Sequence, residues 1–363
     1  MTTKEEGYRG NCIGVKGAAI SFEKNSFDLL RLYAAFAVMF LHFTSFYFMY
    51  AEKSNPAIVG IRESVLCFHG VIILFVMSGF LNAASYDKTE NGKVFLKKKL
   101  VRLYPELWVC TLVNLCVVSI LVWELLDGGM IVWLITQFFG ISITPSCLEP
   151  FGTGSVNGSL WTVFVELQLY VVTAFGYKYL KRLSVCKWVI VLAMALAANL
   201  VTEYITLGLP EVIQKAIGRT FIPYVIWYLA GVFCYCQREV LLPLLKKYCV
   251  LLLILYGALY RIDFLKNGFY CGMITSVLFP FVVIGAAYAL PKIRLKKDIS
   301  YGMFLYHWIV INVFVHFDIY KKLHWAAALL IFVAVSVILG WLSTILVGEV
   351  VKNYCKNRQK AVQ

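Results

Sequence analysis

Charge is what this 363-residue sequence holds least of: Asp, Glu, Lys and Arg together make up 15% of it. A soluble globular chain carries about 25%. With 61% hydrophobic residues, too little polar surface remains to clothe a water-soluble enzyme of this size. No connection is long enough for a separate soluble domain, and no internal repeat is visible, which weakens an inverted-repeat transporter reading. No small-residue cleavage site follows the first apolar run, so that run is expected to be a true spanning helix and not a leader. Paired metal-ligand cysteine spacings are missing too. Of 11 cysteines, Cys234 and Cys236 stand one residue apart with no partner pair, and Cys67, Cys110, Cys116 and Cys271 lie in apolar runs as small buried hydrophobes. No metal is expected. Disorder is excluded by the 26 Phe, 22 Tyr and 9 Trp that must be buried.

Present instead are continuous apolar runs of about twice the roughly 10 residues a barrel strand needs. They predict an all-α, polytopic transmembrane helical bundle. Ten spans are expected, near 27–50, 64–84, 103–123, 160–180, 187–207, 220–237, 247–260, 268–290, 299–317 and 325–350. An apolar stretch at 130–143 falls short of a span and reads as interfacial or re-entrant. With the N-terminus in the cytoplasm, this count puts 26 of the 34 Lys and Arg inside and 8 outside. An eleventh span would invert the later loops and destroy that bias. Both termini are therefore expected in the cytoplasm, as tails 1–26 and 351–363 around a membrane domain 27–350. The net charge of +14 then reports topology and not nucleic-acid binding, because the basic residues sit at the ends of apolar runs.

Ionisable groups at membrane depth are costly and so are functional candidates. Arg31 lies about four residues into the first span, with Asp28 three residues before it as a possible partner. His42 follows Arg31 by eleven residues, about 20° from three full helical turns. Both fall on one stripe, roughly 16 Å apart along the axis. Glu166 is the deepest acid, inside the fourth span, and Glu106 is a weaker case near an interface. His307 sits within the ninth span, and His69 reads as interhelical glue in the second. Lys97, Lys98, Lys99 and Arg102 form a basic run on the cytoplasmic side that ends in Tyr104-Pro105. Such a run anchors topology, and it also suits a phosphate-bearing cytosolic ligand such as coenzyme A.

These residues fall into a pattern that resembles the acyltransferase-3 family of integral membrane enzymes that O-acetylate bacterial surface polysaccharides. Asp28 through Arg31, with ten residues to His42, is similar to the family's Arg-x10-His. Phe75-Val76-Met77-Ser78-Gly79-Phe80 is similar to Phe-Phe-x-x-Ser-Gly-Phe, with Leu74 where the first Phe is common. Lys99-Leu100-Val101-Arg102-Leu103-Tyr104-Pro105 is similar to Arg-x-x-Arg-Ile-x-Pro. Lys99 keeps the charge of the first Arg there but lacks its bidentate fork. Leu160-Trp161 through Glu166 and Tyr170 is similar to Leu-Trp-Ser-Leu-x-x-Glu, and Ile299-Ser300-Tyr301-Gly302 through His307 is similar to Ser-Tyr-Gly-x-x-Leu-x-His. The resemblance covers about residues 27–317, in a short form with no appended esterase-like domain.

The resemblance implies transfer of an acetyl group from cytosolic acetyl-CoA to a hydroxyl of a surface glycan or its lipid-linked precursor, in a bacterial inner membrane. His42 is the expected general base, since imidazole titrates near working pH, and Glu166 is expected to orient His42 or the acceptor. Arg31, Lys99 and Arg102 are expected on the donor. Trp161, Ser300 and His307 are expected in supporting places around the substrates. A transporter or flippase for a polar or anionic metabolite is the rival reading, because it shares the buried charges and the basic mouth.

Overall fold

The computed structural model describes residues 25–51, 55–262, 268–293, 295 and 297–361. The expected N-terminal tail therefore lies outside the described residues except for Asn25 and Ser26. Among the described residues every regular element is helical. In a chain this apolar the backbone groups must be satisfied within the segment that carries them, and only the helix does so without pairing.

The first four helices are α1 (Phe27–Ala51), α2 (Pro56–Cys67), α3 (Gly70–Thr89) and α4 (Gly92–Val122). A short α5 (Gly129–Phe138) precedes α6 (Leu160–Leu180) and α7 (Val185–Thr206). Then come α8 (Glu211–Gly218), α9 (Val225–Cys236), α10 (Arg238–Lys247), α11 (Cys249–Tyr260) and α12 (Met273–Ala289). The chain ends with α13 (Ser300–His316), α14 (Ile319–Lys322), α15 (Trp325–Ser343), a π-helical turn at Thr344–Gly348 and α16 (Glu349–Ala361). Asn55 caps α2 ahead of Pro56, and the Asn91 side chain accepts from the amides of Lys93 and Val94 at the start of α4.

Each of the ten expected segments holds one of these helices, but the lengths differ from a simple count of ten. Among the described residues, six helical stretches are long and apolar enough to cross a membrane, or up to eight if two bent pairs each count as one. One pair joins α8 to the helix at 222–236 with a 54° bend, and the other joins α10 to α11 at 74°. The segment read as the seventh span is thus the 12-residue α11, one arm of a sharply bent pair. The connection expected between 50 and 64 is largely helical too, since α2 and α3 together form a 34-residue apolar stretch. The 130–143 stretch is the short α5, as its length predicts.

Between apolar helices packing replaces the hydrophobic drive, and small residues let backbones approach. Gly79 of α3 lies against the Tyr228 carbonyl of α9, and Gly231 of α9 lies against the Val76 carbonyl of α3, closer than any side chain permits. Gly302 of α13 and Gly340 of α15 face each other in the same way. Two apolar cores result, and α1 serves both. Ala34 and Val38 pack into one with α3, α6, α9 and α12, while Met39, Phe40 and Phe43 pack into the other with α13 and α15. The stripe of α1 that carries Arg31 and His42 runs along the seam between them.

Candidate active site

One cavity, of about 190 Å³, is lined by Arg31, Lys99, Arg102, Glu166, Tyr170 and Ser300, among others. Four segments remote in sequence thus bring their charged groups to one space. Asp298, just before α13, gathers three of them. Its carboxylate lies 2.5 Å from Arg31 Nη1 and 3.9 Å from Arg102, and it accepts from the Ser300 hydroxyl at 2.5 Å. Asp28 adds a contact to Arg31 at 3.4 Å. Burial works to raise the Asp298 carboxyl, but Arg31, the Ser300 hydrogen bond and Arg102 outweigh it and hold it below the ordinary carboxylate value. Arg102 is exposed at the mouth, whereas Lys99 lies deeper with its ammonium 5.4 Å from the Phe95 ring and 5.7 Å from that of Tyr170.

Glu166 accepts from the Ser78 hydroxyl, with Tyr170 as a second partner, and Asn82 donates to Ser78 at 2.8 Å. Of the two partners expected for Glu166, His42 or the acceptor, the first is not hydrogen-bonded to it. Glu166 belongs to the cavity of Arg31 and Lys99, with no hydrogen bond to His42 among the described residues. The reason is register: Glu166 sits six residues into α6, level with Ser78 of α3, while His42 is packed against α13.

His42 lines a second cavity, of about 240 Å³, with Arg62, His69, Trp161 and Tyr270 among its walls. Its Nδ1 stands 2.9 Å from His307 Nε2, and His307 Nδ1 stands 2.7 Å from the Phe304 carbonyl. A carbonyl only accepts, so His307 donates from Nδ1. A neutral His307 then accepts at Nε2, and His42 donates from Nδ1. That order leaves His42 Nε2 unprotonated and outside both hydrogen bonds. The Trp308 ring abuts His42 edge-on at 4.8 Å, and its indole N–H donates to the Ser155 carbonyl at 2.9 Å. Asn312 holds the same loop through Thr153, Ser155 and Val156. α13 thus holds both His42 and the 153–156 loop.

The two cavities adjoin, and Val71, Thr162 and Phe304 line both. Along α1 the lining passes from one space to the next: Arg31 and Ala35 in the first, then Val38, Leu41 and His42 in the second. The stripe inferred from helical spacing is the common wall.

Of the residues singled out from sequence, Arg31, Lys99, Arg102, Glu166 and Ser300 meet in one cavity, and His42 and Trp161 meet in the other, with His307 bonded to His42. His69, read as glue, lines the His42 cavity. Sequence reasoning missed Asp298, Arg62, Tyr270 and Trp308. Asp298 was signalled only by its place directly before the Ser300-Tyr301-Gly302 segment. Arg62 was assigned to an outer loop because the span was started two residues after it. Among the described residues no group of three or more His, Cys, Asp or Glu could hold a metal ion.

The sequence model of one family, described as an acyltransferase domain, matches residues 24–345. The chain is similar to nodulation protein 10 of Rhizobium leguminosarum bv. viciae, 26% identical over 320 residues, which is 81% of this chain and 85% of that protein. It is also similar to an O-acetyl transferase of Shigella phage Sf6, 21% identical over 338 residues, 86% of this chain and 93% of that one. No solved structure matches it.

Proposed function

The chain belongs to this acyltransferase family and is a multi-pass membrane O-acyltransferase, and from that premise we propose that it moves an acetyl group from cytosolic acetyl-CoA to a hydroxyl of a cell-surface glycan or of its lipid-linked precursor. The observation that carries this reading is the pair of adjoining cavities, one cationic and one holding an imidazole base. In it, Arg31, Lys99 and Arg102 bind the phosphates and carbonyls of the donor at the cytoplasmic mouth. Asp298 holds Arg31 in place, and Glu166 keeps the buried cationic wall balanced. The thioester arm passes the neck at Val71, Thr162 and Phe304 and presents its carbonyl beside His42.

His42 Nε2 then takes the proton of the acceptor hydroxyl while its oxygen attacks the thioester carbonyl. The C–S bond breaks as the C–O bond forms, and the imidazolium returns the proton to the departing thiolate. His307 Nε2 accepts from His42 Nδ1 throughout and steadies the charge on the ring. Holding both reactants across one neck supplies the orientation that a bimolecular reaction lacks. The charge bias of the loops supports a ten-span arrangement in a bacterial inner membrane, with the membrane domain at 27–350 and the tails 1–26 and 351–363 in the cytoplasm. The printed name of the phage relative supports acetyl as the group moved.

Purified protein supplied with acetyl-labelled CoA tests the reading. Release of free CoA together with labelled acceptor is expected from wild type. A carrier would move label across a vesicle membrane and leave the thioester intact.

A further inference from the structure

The transfer scheme leaves Arg62 without a task, although it stands in the wall of the His42 cavity. Its Nη1 donates to the Leu41 carbonyl at 3.0 Å, to the Ser45 hydroxyl at 3.1 Å and to the Thr44 hydroxyl. These three groups flank His42 on α1. A guanidinium has five N–H donors in a planar fork, and this anchorage uses Nη1 alone. Arg62 forms no ion pair among the described residues, and the cavity wall contains no Asp or Glu. Glu63, next in the chain, is the nearby opposite charge, but it does not line the cavity, so on the cavity side the guanidinium has no carboxylate partner.

Beside aliphatic Val38, Leu66 and Val71, the wall carries the rings of Trp161, Tyr270 and Phe304. Tyr270 takes φ +72°, a conformation that a bulky side chain rarely adopts. Its ring lies 5.3 Å from His69 and 6.3 Å from Trp161. Strain of this kind persists where surroundings over-determine it, and it clusters at ligand sites. The cavity therefore offers flat apolar faces, an imidazole base and one half-used guanidinium.

We propose that Arg62 captures an oxyanion on the acceptor, so that the outer cavity takes a sugar bearing a carboxylate or phosphate group in preference to a neutral one. This rests on the acyl-transfer reading of the same cavity. Because Nη1 is tied to the residues around His42, the fork that binds the anion is in register with the base. The anion fixes one end of the sugar and leaves a hydroxyl to fall near His42 Nε2.

The test measures binding directly, with purified protein in a neutral detergent and matched probes: neutral glycosides, their uronides and their phosphate monoesters. Wild type is expected to bind the uronides, the phosphate esters or both more tightly than the neutral sugars, and the better class identifies the anion. Arg62→Gln is expected to erase that preference, weakening the charged probes about 10- to 100-fold while leaving the neutral ones and acetyl-CoA unaffected. Arg62→Lys is expected to fall between, and Thr44→Val, which removes an anchor but not the charge, is expected to keep most of the preference. Equal binding of charged and neutral probes by wild type, binding of neither, or a preference that survives Arg62→Gln would overturn the proposal. Thioester turnover by the same preparations tests the underlying reading separately: an anion preference without turnover refutes acyl transfer and leaves the oxyanion site standing.

Discussion

His307 stands 2.9 Å from His42 and donates its other ring nitrogen to the Phe304 carbonyl at 2.7 Å, so one imidazole sets the tautomer of the other. Two helices far apart in sequence meet in that bond. His42→Ala is expected to lower the transfer rate by about 10²- to 10⁴-fold, the range a positioned base supplies, with protein yield unchanged. His307→Ala is expected to lower kcat by a smaller factor and to move the pH–rate profile. His307→Gln, which can still accept at that position, is expected to recover part of the rate. Steady-state kinetics across pH separate these outcomes from a loss of folded protein.

Arg102 is the most exposed cation of the cavity that Arg31 and Lys99 line. Arg102→Ala is expected to raise the KM for acetyl-CoA by about 10-fold, one charge-assisted hydrogen bond, with little change in kcat. Lys99→Arg is expected to keep donor affinity, since the charge is retained. Isothermal titration with CoA gives the binding values without turnover.

The neck at Val71, Thr162 and Phe304 makes a further prediction. Thr162→Phe adds bulk where the cavities join. Donor affinity is expected to stay near that of wild type while acetyl transfer falls at least about 10²-fold, as expected for a thioester held short of the base. Titration with CoA and labelled transfer assays on one preparation report both.

Asp298 carries the clearest pH signature. Its carboxyl is held below the ordinary value near 3.9 by Arg31, the Ser300 hydrogen bond and Arg102 against the opposing effect of burial. A depressed carboxyl contributes stability that is present above its unfolded value and lost as pH falls through its folded one. The stability difference between wild type and Asp298→Asn is therefore expected to be full at pH 6–7, to shrink below about pH 4 and to vanish in stronger acid. Thermal unfolding in detergent at a series of pH values measures it.

The α3–α9 crossing fixes the position of Ser78, and through it Glu166. Gly79→Leu forces a side chain into the Tyr228 carbonyl. Overpacking of this kind costs typically about 1–3 kcal/mol, and more where only backbone can yield. A sharp fall in monodisperse protein on size-exclusion chromatography is expected, whereas Gly257→Ala, at a glycine with open space around it, is expected to have no such effect.

Much of this site could be read before any coordinates. The eleven-residue spacing from Arg31 to His42 survives because a helix converts spacing into direction, and it does so whatever packs against it. The basic run ending at Arg102 was readable because it is a local cluster at a membrane boundary. Glu166 was found as an out-of-place acid, but the choice between His42 and the acceptor as its partner stayed open, since the relative height of α1 and α6 is a tertiary fact. The His42–His307 bond spans 265 residues of sequence, and nothing local signals it. Arg62 escaped because its helix, α2, is set off by the break at Phe68 and His69 and is too short to register as a span. The number of spans was less legible than their places, because the two bent pairs join the segments expected at 220–237 and 247–260 to helices that those spans leave out, α8 and α10.

The most direct measurement of the central claim is a paired assay on His42→Ala: acetyl-CoA affinity by titration and labelled acetyl transfer from the same sample. Joined cavities with the base beside the acceptor predict donor binding equal to that of wild type and transfer lowered by about 10²- to 10⁴-fold. Transfer by His42→Ala at the wild-type rate would contradict the account.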